Sequence, residues 1–176
     1  QRLCFELSHQ TYVDPEGAPN GAVPEDVFET CKAAQDIMTE ITTRFEHNKG
    51  RALIIDYGHG RSSFGDTVQA VRQHQFWPPL ELPGKADVTA HVDFAALSRT
   101  GRNAGALVHG PILQGQFLAT LGLEQRALAL GKAAKDDAQR KVILTGARRL
   151  AHPDEMGTLF KVLCVQSQGI DAPVGF

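Results

Sequence analysis

The sequence is poor in cysteine, in excess charge of either sign and in long apolar runs. Its 3 cysteines, Cys4, Cys31 and Cys164, lie far apart in the chain. None forms a CxxC pair or sits beside a histidine at zinc spacing, so neither a disulfide scaffold nor a metal site is expected. Sparse, odd-numbered thiols point to reduced side chains and an intracellular address. Lys and Arg number 18 against 20 Asp and Glu, a net charge of -2. That balance leaves no electrostatic footprint for nucleic acid or an anionic membrane. No apolar run approaches the roughly 20 residues that a bilayer span needs, so no membrane insertion is expected, and no signal-peptide pattern opens the chain. GxGxxG and GxxxxGKS/T are absent, as is any Ser or Cys in a nucleophile elbow, which removes the commonest phosphate-binding loops and elbow-type acyl transfer. There is no internal repeat or low-complexity tract.

What remains is an ordinary globular composition. The chain has 176 residues, 42% hydrophobic and 22% charged, enough for one domain with a core and too short for two. It opens on Gln1 rather than Met, so a removed segment or a longer parent protein is expected.

Arg2–Leu7 reads as a strand, and His9–Val13 as its partner or an extended run. Apolar residues at Val27, Phe28, Cys31, Ala34, Ile37, Met38, Ile41 and Phe45 recur in steps of three and four. This predicts a helix from Pro24 to about His47, with Pro24 in the first turn and Gly50 past the end. Ala52–Ile55 is a short continuous apolar run between Gly50 and Gly58, the pattern of a strand buried on both faces. Residues 61–87 carry Pro78, Pro79 and Pro83 and read as mostly a long surface loop. A helix is predicted from Asp93 to Arg99, and a strand over Gly105–His109 stopped by Gly110-Pro111. Residues 114–150 read as helices broken at Gly122 and Gly131. A turn at His152–Asp154, a short helix through Met156 and a closing strand over Leu159–Val165 complete the chain. The alternation is mixed α/β.

In open α/β sheets ligands sit outside the carboxyl ends of strands, which draws attention to Asp56-Tyr57-Gly58. Asp56 either meets a ligand or caps a loop. Tyr57 either packs a flat ligand or joins the core, and Gly58 lets the backbone approach closely. In an extended segment His91 and Asp93 share a face, and the pair can orient an imidazole for proton transfer. If Asp93 caps the following helix instead, which is the favoured use, its carboxylate is occupied. Gln114 either hydrogen-bonds a ligand or opens the next helix.

Several segments in order go further. Ala52–Gly58 is followed by Gly65-Asp66-Thr67-Val68-Gln69-Ala70-Val71, by Pro83–Phe94 with its His91-Val92-Asp93, and by Gly110-Pro111-Ile112-Leu113-Gln114. Phe117–Gly122 and Met156–Val162 close the series. Together these resemble the S-adenosylmethionine-dependent methyltransferases of the MidA type, whose mitochondrial relatives are arginine methyltransferases that assist assembly of respiratory complex I. The resemblance implies the C-terminal part of a Rossmann-like class I methyltransferase fold. Residues 52–57 would form a late parallel strand, and 159–165 an antiparallel strand of the closing edge. Residues 1–176 would be the C-terminal portion of one domain, with the cofactor-loop half upstream and the isolated chain inactive.

The implied cofactor is S-adenosyl-L-methionine. The implied partner is a protein substrate, a complex I subunit among relatives, with a homodimer as one way to cover the truncated sheet edge. An arginine guanidinium stays protonated at neutral pH, with pKa above about 12. Transfer therefore needs a carboxylate to localise charge and a group to take the departing proton. Asp56, Asp93 and His91 are the implied catalytic residues, with Tyr57, Gly58 and Gln114 on the substrate side. A non-catalytic assembly module and a small-molecule methyltransferase are the competing expectations. The bacterial cytoplasm is the expected location, and the mitochondrial matrix the other.

Overall fold

The structure, a computed structural model, describes residues 4–6 and 17–176. Cys4–Glu6 belong to no strand. The rest of the predicted Arg2–Leu7 strand, and the run His9–Val13, lie outside the described residues.

Helix α1 spans Lys32–Thr43 and runs into a short 3-10 turn, Arg44–Glu46. It starts eight residues later than the periodicity predicts, because the residues before it are used elsewhere. The Glu29 carboxylate accepts the backbone N–H groups of Thr67 (2.9 Å) and Val68 (3.2 Å) and the Thr67 hydroxyl. The Val27 carbonyl accepts the N–H of Gly65 at 2.8 Å, and Phe28 packs edge-on against Phe64. The apolar spacing continues through Val27 and Phe28, but tertiary contacts claim both.

Strand β1 covers Arg51–His59, β2 Gln69–Arg72, β3 Gln75–Trp77, β4 Asp87–Thr89 and β5 Val92–Asp93. Helix α2 is Phe94–Asn103, and β6 is Leu107–Leu113. Helices α3 (Gln114–Thr120), α4 (Leu123–Lys132) and α5 (Asp137–Ala151) follow. A wide π-type turn over Pro153–Gly157 leads into β7, Phe160–Gln166. The main sheet has the order β5-β1-β7-β6. β1 pairs parallel with β5 and antiparallel with β7, and β6 is antiparallel to β7. The fold is therefore α/β with a mixed sheet. The closing strand runs antiparallel as expected, but it lies one place in from the edge, and β6 takes the edge itself.

One further expectation is refined and two are corrected. Residues 61–87 are mostly outside regular elements, as expected, but the segment also holds β2, β3 and the first residue of β4, which form a second, antiparallel sheet in the order β3-β2-β4. Pro78, Pro79 and Pro83 fall between β3 and β4, so no ladder donor is lost. The Arg72 guanidinium covers the Trp77 ring at 4.8 Å. β6 runs through Gly110-Pro111, where the ladder slips between His109 and Ile112 instead of stopping. Gly122 separates α3 from α4 as expected. The second break, however, falls at residues 133–136, and Gly131 lies inside α4.

Core packing is one-sided at β1. Alternation points Ala52 and Ile54 at α1 and α2, where they pack on Met38, Phe94, Leu97, Leu163 and Val165. α2 lies tight against the sheet because a Cβ on Gly101 would already sit 3.3 Å from Val108 and Val165. Leu53 and Ile55 face the other way and remain 49% and 44% exposed. β1 is thus not buried on both faces. α3 adds its own cover near β6 and β7, where Val162 and Cys164 are buried. No described helix is long and apolar enough to cross a membrane.

Phe94 is fully buried, so Phe94→Ala should cost about 3–5 kcal/mol by denaturant unfolding. Leu53→Ala on the open face should cost far less. Equal losses would contradict a core confined to the α1–α2 side.

Candidate functional site

The carboxyl end of β1 is built on a close backbone approach. Gly58 pairs with Val92 and His59 with Asp93. A Cβ on Gly58 would sit 2.1 Å from the Val92 carbonyl oxygen, so glycine alone allows β5 this near. Gly58 therefore uses its bare α-carbon on a neighbouring strand, and the ligand-facing role expected of it gains no support from its surroundings.

The approach sets Asp93 beside His59. The His59 Nε2 atom is 3.8 Å from Asp93 Oδ2, with side chains 25% and 15% exposed. Asp93 is also the N-cap of α2, its Oδ1 accepting the Ala96 N–H at 2.9 Å. Oδ2 accepts the Ser62 hydroxyl at 2.6 Å, and Arg99 donates to Ser62 Oγ at 3.3 Å. The favoured cap is formed, and Asp93 still holds a position at the strand end. Its imidazole neighbour is His59, however, and not His91.

His91 is positioned differently. Its backbone N–H donates to the Thr67 hydroxyl at 2.9 Å, which Glu29 holds from the other side. Its ring stands edge-on to Tyr57 at 5.8 Å, and Tyr57 meets Phe160 in the same way at 5.6 Å. Tyr57 is thus part of an aromatic row. Asp56 Oδ1 accepts the N–H of its own neighbour Tyr57 at 2.8 Å, and alternation places Asp56 on the face opposite Tyr57. Gln114 opens α3, is buried, and gives its amide N–H to the Leu150 carbonyl at 2.8 Å. It ties α3 to α5 and does not join the other expected residues.

Lys161 fastens this end of the strand from below. Its Nζ donates to the carbonyls of Gly58 (2.9 Å), Thr158 (2.6 Å) and Leu159 (3.1 Å). Burial pulls its pKa below the ordinary lysine value. Sequence reasoning missed His59, Ser62 and Lys161. His59 sits in a visible Gly-His-Gly run, but the parallel pairing that brings it to Asp93 leaves no trace in residue spacing.

Between the segment Phe28–Gln35 and the run Ala90–Arg99 lies a cavity of about 160 Å³, lined in part by Phe28, Cys31, His91 and Asp93. Asp56 and Tyr57 do not line it. Ligand pockets run roughly 300–1,000 Å³, so this hollow admits a side chain or one part of a ligand. Larger hollows lie elsewhere. One of about 490 Å³ sits at the opposite end of β1, beside His47–Lys49 and Ser167. Another, of about 540 Å³, lies among α3, α4 and α5.

Residues 5–112 match the model of a family described as "Putative S-adenosyl-L-methionine-dependent methyltransferase". The chain belongs to this family. The resemblance carried by the ordered segments is therefore borne out. The chain is similar to the protein arginine methyltransferase NDUFAF7, mitochondrial, of Xenopus tropicalis, with 34% identity over 82% of this chain and 33% of that protein. The Drosophila melanogaster homolog is 40% identical over 71% of this chain and 28% of its own length. The chain thus spans about a third of the length of the curated relatives it matches. A protein from Burkholderia thailandensis, solved bound to S-adenosyl-homocysteine, superposes with a TM-score of 0.69 and 30% identity. That match covers 83% of this chain and 38% of that one. A second solved structure from the same organism gives a TM-score of 0.71.

Within this methyltransferase sheet, Gly58→Ala tests the β1–β5 contact directly. The overlap with the Val92 carbonyl should cost about 3 kcal/mol or more and raise amide hydrogen exchange at Val92 and Asp93. A stability within about 0.5 kcal/mol of the unsubstituted protein would refute the contact.

Proposed function

We propose that this chain is the acceptor-side portion of a methyltransferase that moves a methyl group from S-adenosyl-L-methionine to an arginine nitrogen of a protein. Residues 1–176 are then the C-terminal part of one domain, and the cofactor-loop half lies upstream. The observation that carries this reading is a strand end bearing carboxylates and imidazoles, in a chain whose solved relative holds S-adenosyl-homocysteine. The donor set fits one side of the cofactor, because Asp56 and Asp93 suit a sulfonium's positive charge. The cavity of about 160 Å³ is too small for the whole group, so further walls come from the rest of the polypeptide. β1 supports that division. On the edge away from β7, only Gly58 and His59 are paired among the described residues, and Leu53 and Ile55 stay half-exposed beside it.

When bound, the cofactor supplies an electrophilic methyl group. The chain's own task is to orient the acceptor nitrogen and manage charge. Asp56 presents negative charge at the strand end, where a guanidinium would be held in line for transfer, and Asp93 adds charge from its fixed place as the cap of α2. His91, between Tyr57 and the small cavity, borders the space an acceptor side chain would enter. A protein substrate accords with the names of the relatives, and the complex I link of the mitochondrial family suggests a subunit of that assembly as acceptor. A reducing compartment, bacterial cytoplasm or mitochondrion, suits the three free thiols.

The deciding experiment incubates the complete polypeptide with S-adenosyl-L-methionine and a candidate protein acceptor, followed by amino-acid analysis. Methylarginine is expected, and Asp56→Asn should lower its formation at least about 100-fold while folding is retained. Methyl label on small molecules alone would support the small-molecule reading. Absence of both label and S-adenosyl-homocysteine binding would support a non-catalytic module.

A further inference from the structure

We propose that His59, oriented by Asp93, is the group that takes the proton from the nitrogen being methylated; this rests on the methyl-transfer reading. His59 is the last residue of β1, at the carboxyl end where α/β sheets bind their ligands. Its side chain is 25% exposed, whereas Asp93 is only 15% exposed. The ring is thus reachable from outside, while its carboxylate neighbour is sheltered from water.

Asp93 is unusually well fixed. One oxygen is committed to the Ala96 N–H, and the other receives the Ser62 hydroxyl, which Arg99 braces in turn. A carboxylate held in this way cannot turn aside as charge develops on the ring. It faces Nε2 at 3.8 Å, longer than a hydrogen bond and within the reach of an ion pair. Nδ1 is left as the nitrogen to meet an incoming proton. His91 lacks this support: among the described residues no carboxylate stands at ion-pair distance from it, and its ring is engaged with Tyr57.

The chemistry balances without another reactant. The nitrogen–methyl bond forms as the methyl–sulfur bond of the sulfonium breaks, the electron pair leaving with sulfur in a neutral thioether. His59 Nδ1 receives the N–H proton of the acceptor, which leaves the methylated guanidinium with its single positive charge. Asp93 balances the imidazolium until the proton passes to water. Asp93 is a positioning residue here, acting through His59.

The test uses the complete polypeptide and three readouts. His59→Gln should lower kcat roughly 100-fold or more, with acceptor KM and calorimetric affinity for S-adenosyl-homocysteine each within about threefold of the unsubstituted protein. Asp93→Asn keeps a capping side chain and should lower kcat about tenfold or more without raising acceptor KM. In the ligand-free protein, diethyl pyrocarbonate should label His59 alongside the exposed His47 and His74, as mapped by peptide mass spectrometry. A His59→Gln enzyme within about threefold of normal kcat, or a His59 that resists labelling while His47 and His74 react, would overturn the assignment. If His59→Gln does not fold, His59→Asn is judged by the same criteria. An unsubstituted polypeptide that transfers no methyl group at all would overturn the methyl-transfer reading itself, and this role with it.

Discussion

The contact between the bare α-carbon of Gly58 and the Val92 carbonyl is the constraint on which this structure turns. A Cβ built there would sit 2.1 Å from that oxygen, which leaves no room for a side chain. The approach makes two residues of β1 neighbours of two residues of β5. From that pairing follow the place of Asp93 beside His59, the start of α2 at Phe94, and the seating of Phe94 and Leu97 in the core. A single carboxylate then serves helix and strand end together. It satisfies an N–H that the first helical turn would otherwise leave without a partner, and it holds negative charge where the sheet meets solvent.

Stability and site are therefore coupled through a few groups. Lys161 contributes a similar economy by gathering three carbonyls from two segments at one ammonium. These carbonyls belong to the end of β1 and to the turn before β7, so the cation joins the strand end to the last stretch of the sheet. The partly desolvated ammonium loses hydration on burial, consistent with the lowering of its pKa. The gain is a fixed backbone at the place where side chains must keep their geometry.

The sequence disclosed the elements whose signals are local. The helical stretch after Leu113, the cap at Asp93 and the break at Gly122 were legible from local residue signals, whereas the antiparallel course of the closing strand came only with the family resemblance. Elements decided at long range were not. Val27 and Phe28 carry helical spacing, but contacts with residues 64–65 hold them outside α1. The second sheet was hidden by prolines that fall outside its strands. Its two-residue hairpin also uses Gln73 and His74 at positive φ, where glycine or asparagine would have announced a turn. The site was half legible for the same reason. The ordered segments led to the family and drew attention to the end of β1, while the partner of Asp93 depended on a parallel pairing between residues more than thirty positions apart.

The place of β7 carries a consequence for how the chain is made. β1 and β6 have no contact through their own ladder and meet only across β7. Synthesis proceeds from the amino end, so both flanking strands leave the ribosome before the strand that joins them exists. Until Gln166 has emerged, the nascent sheet has a gap at its centre. Val162, Leu163 and Val165, which are fully buried in the folded sheet, arrive after both strands they join. Closure of the sheet therefore waits on the last of its strands to be made, and the growing polypeptide must keep two apolar strands from pairing wrongly until then.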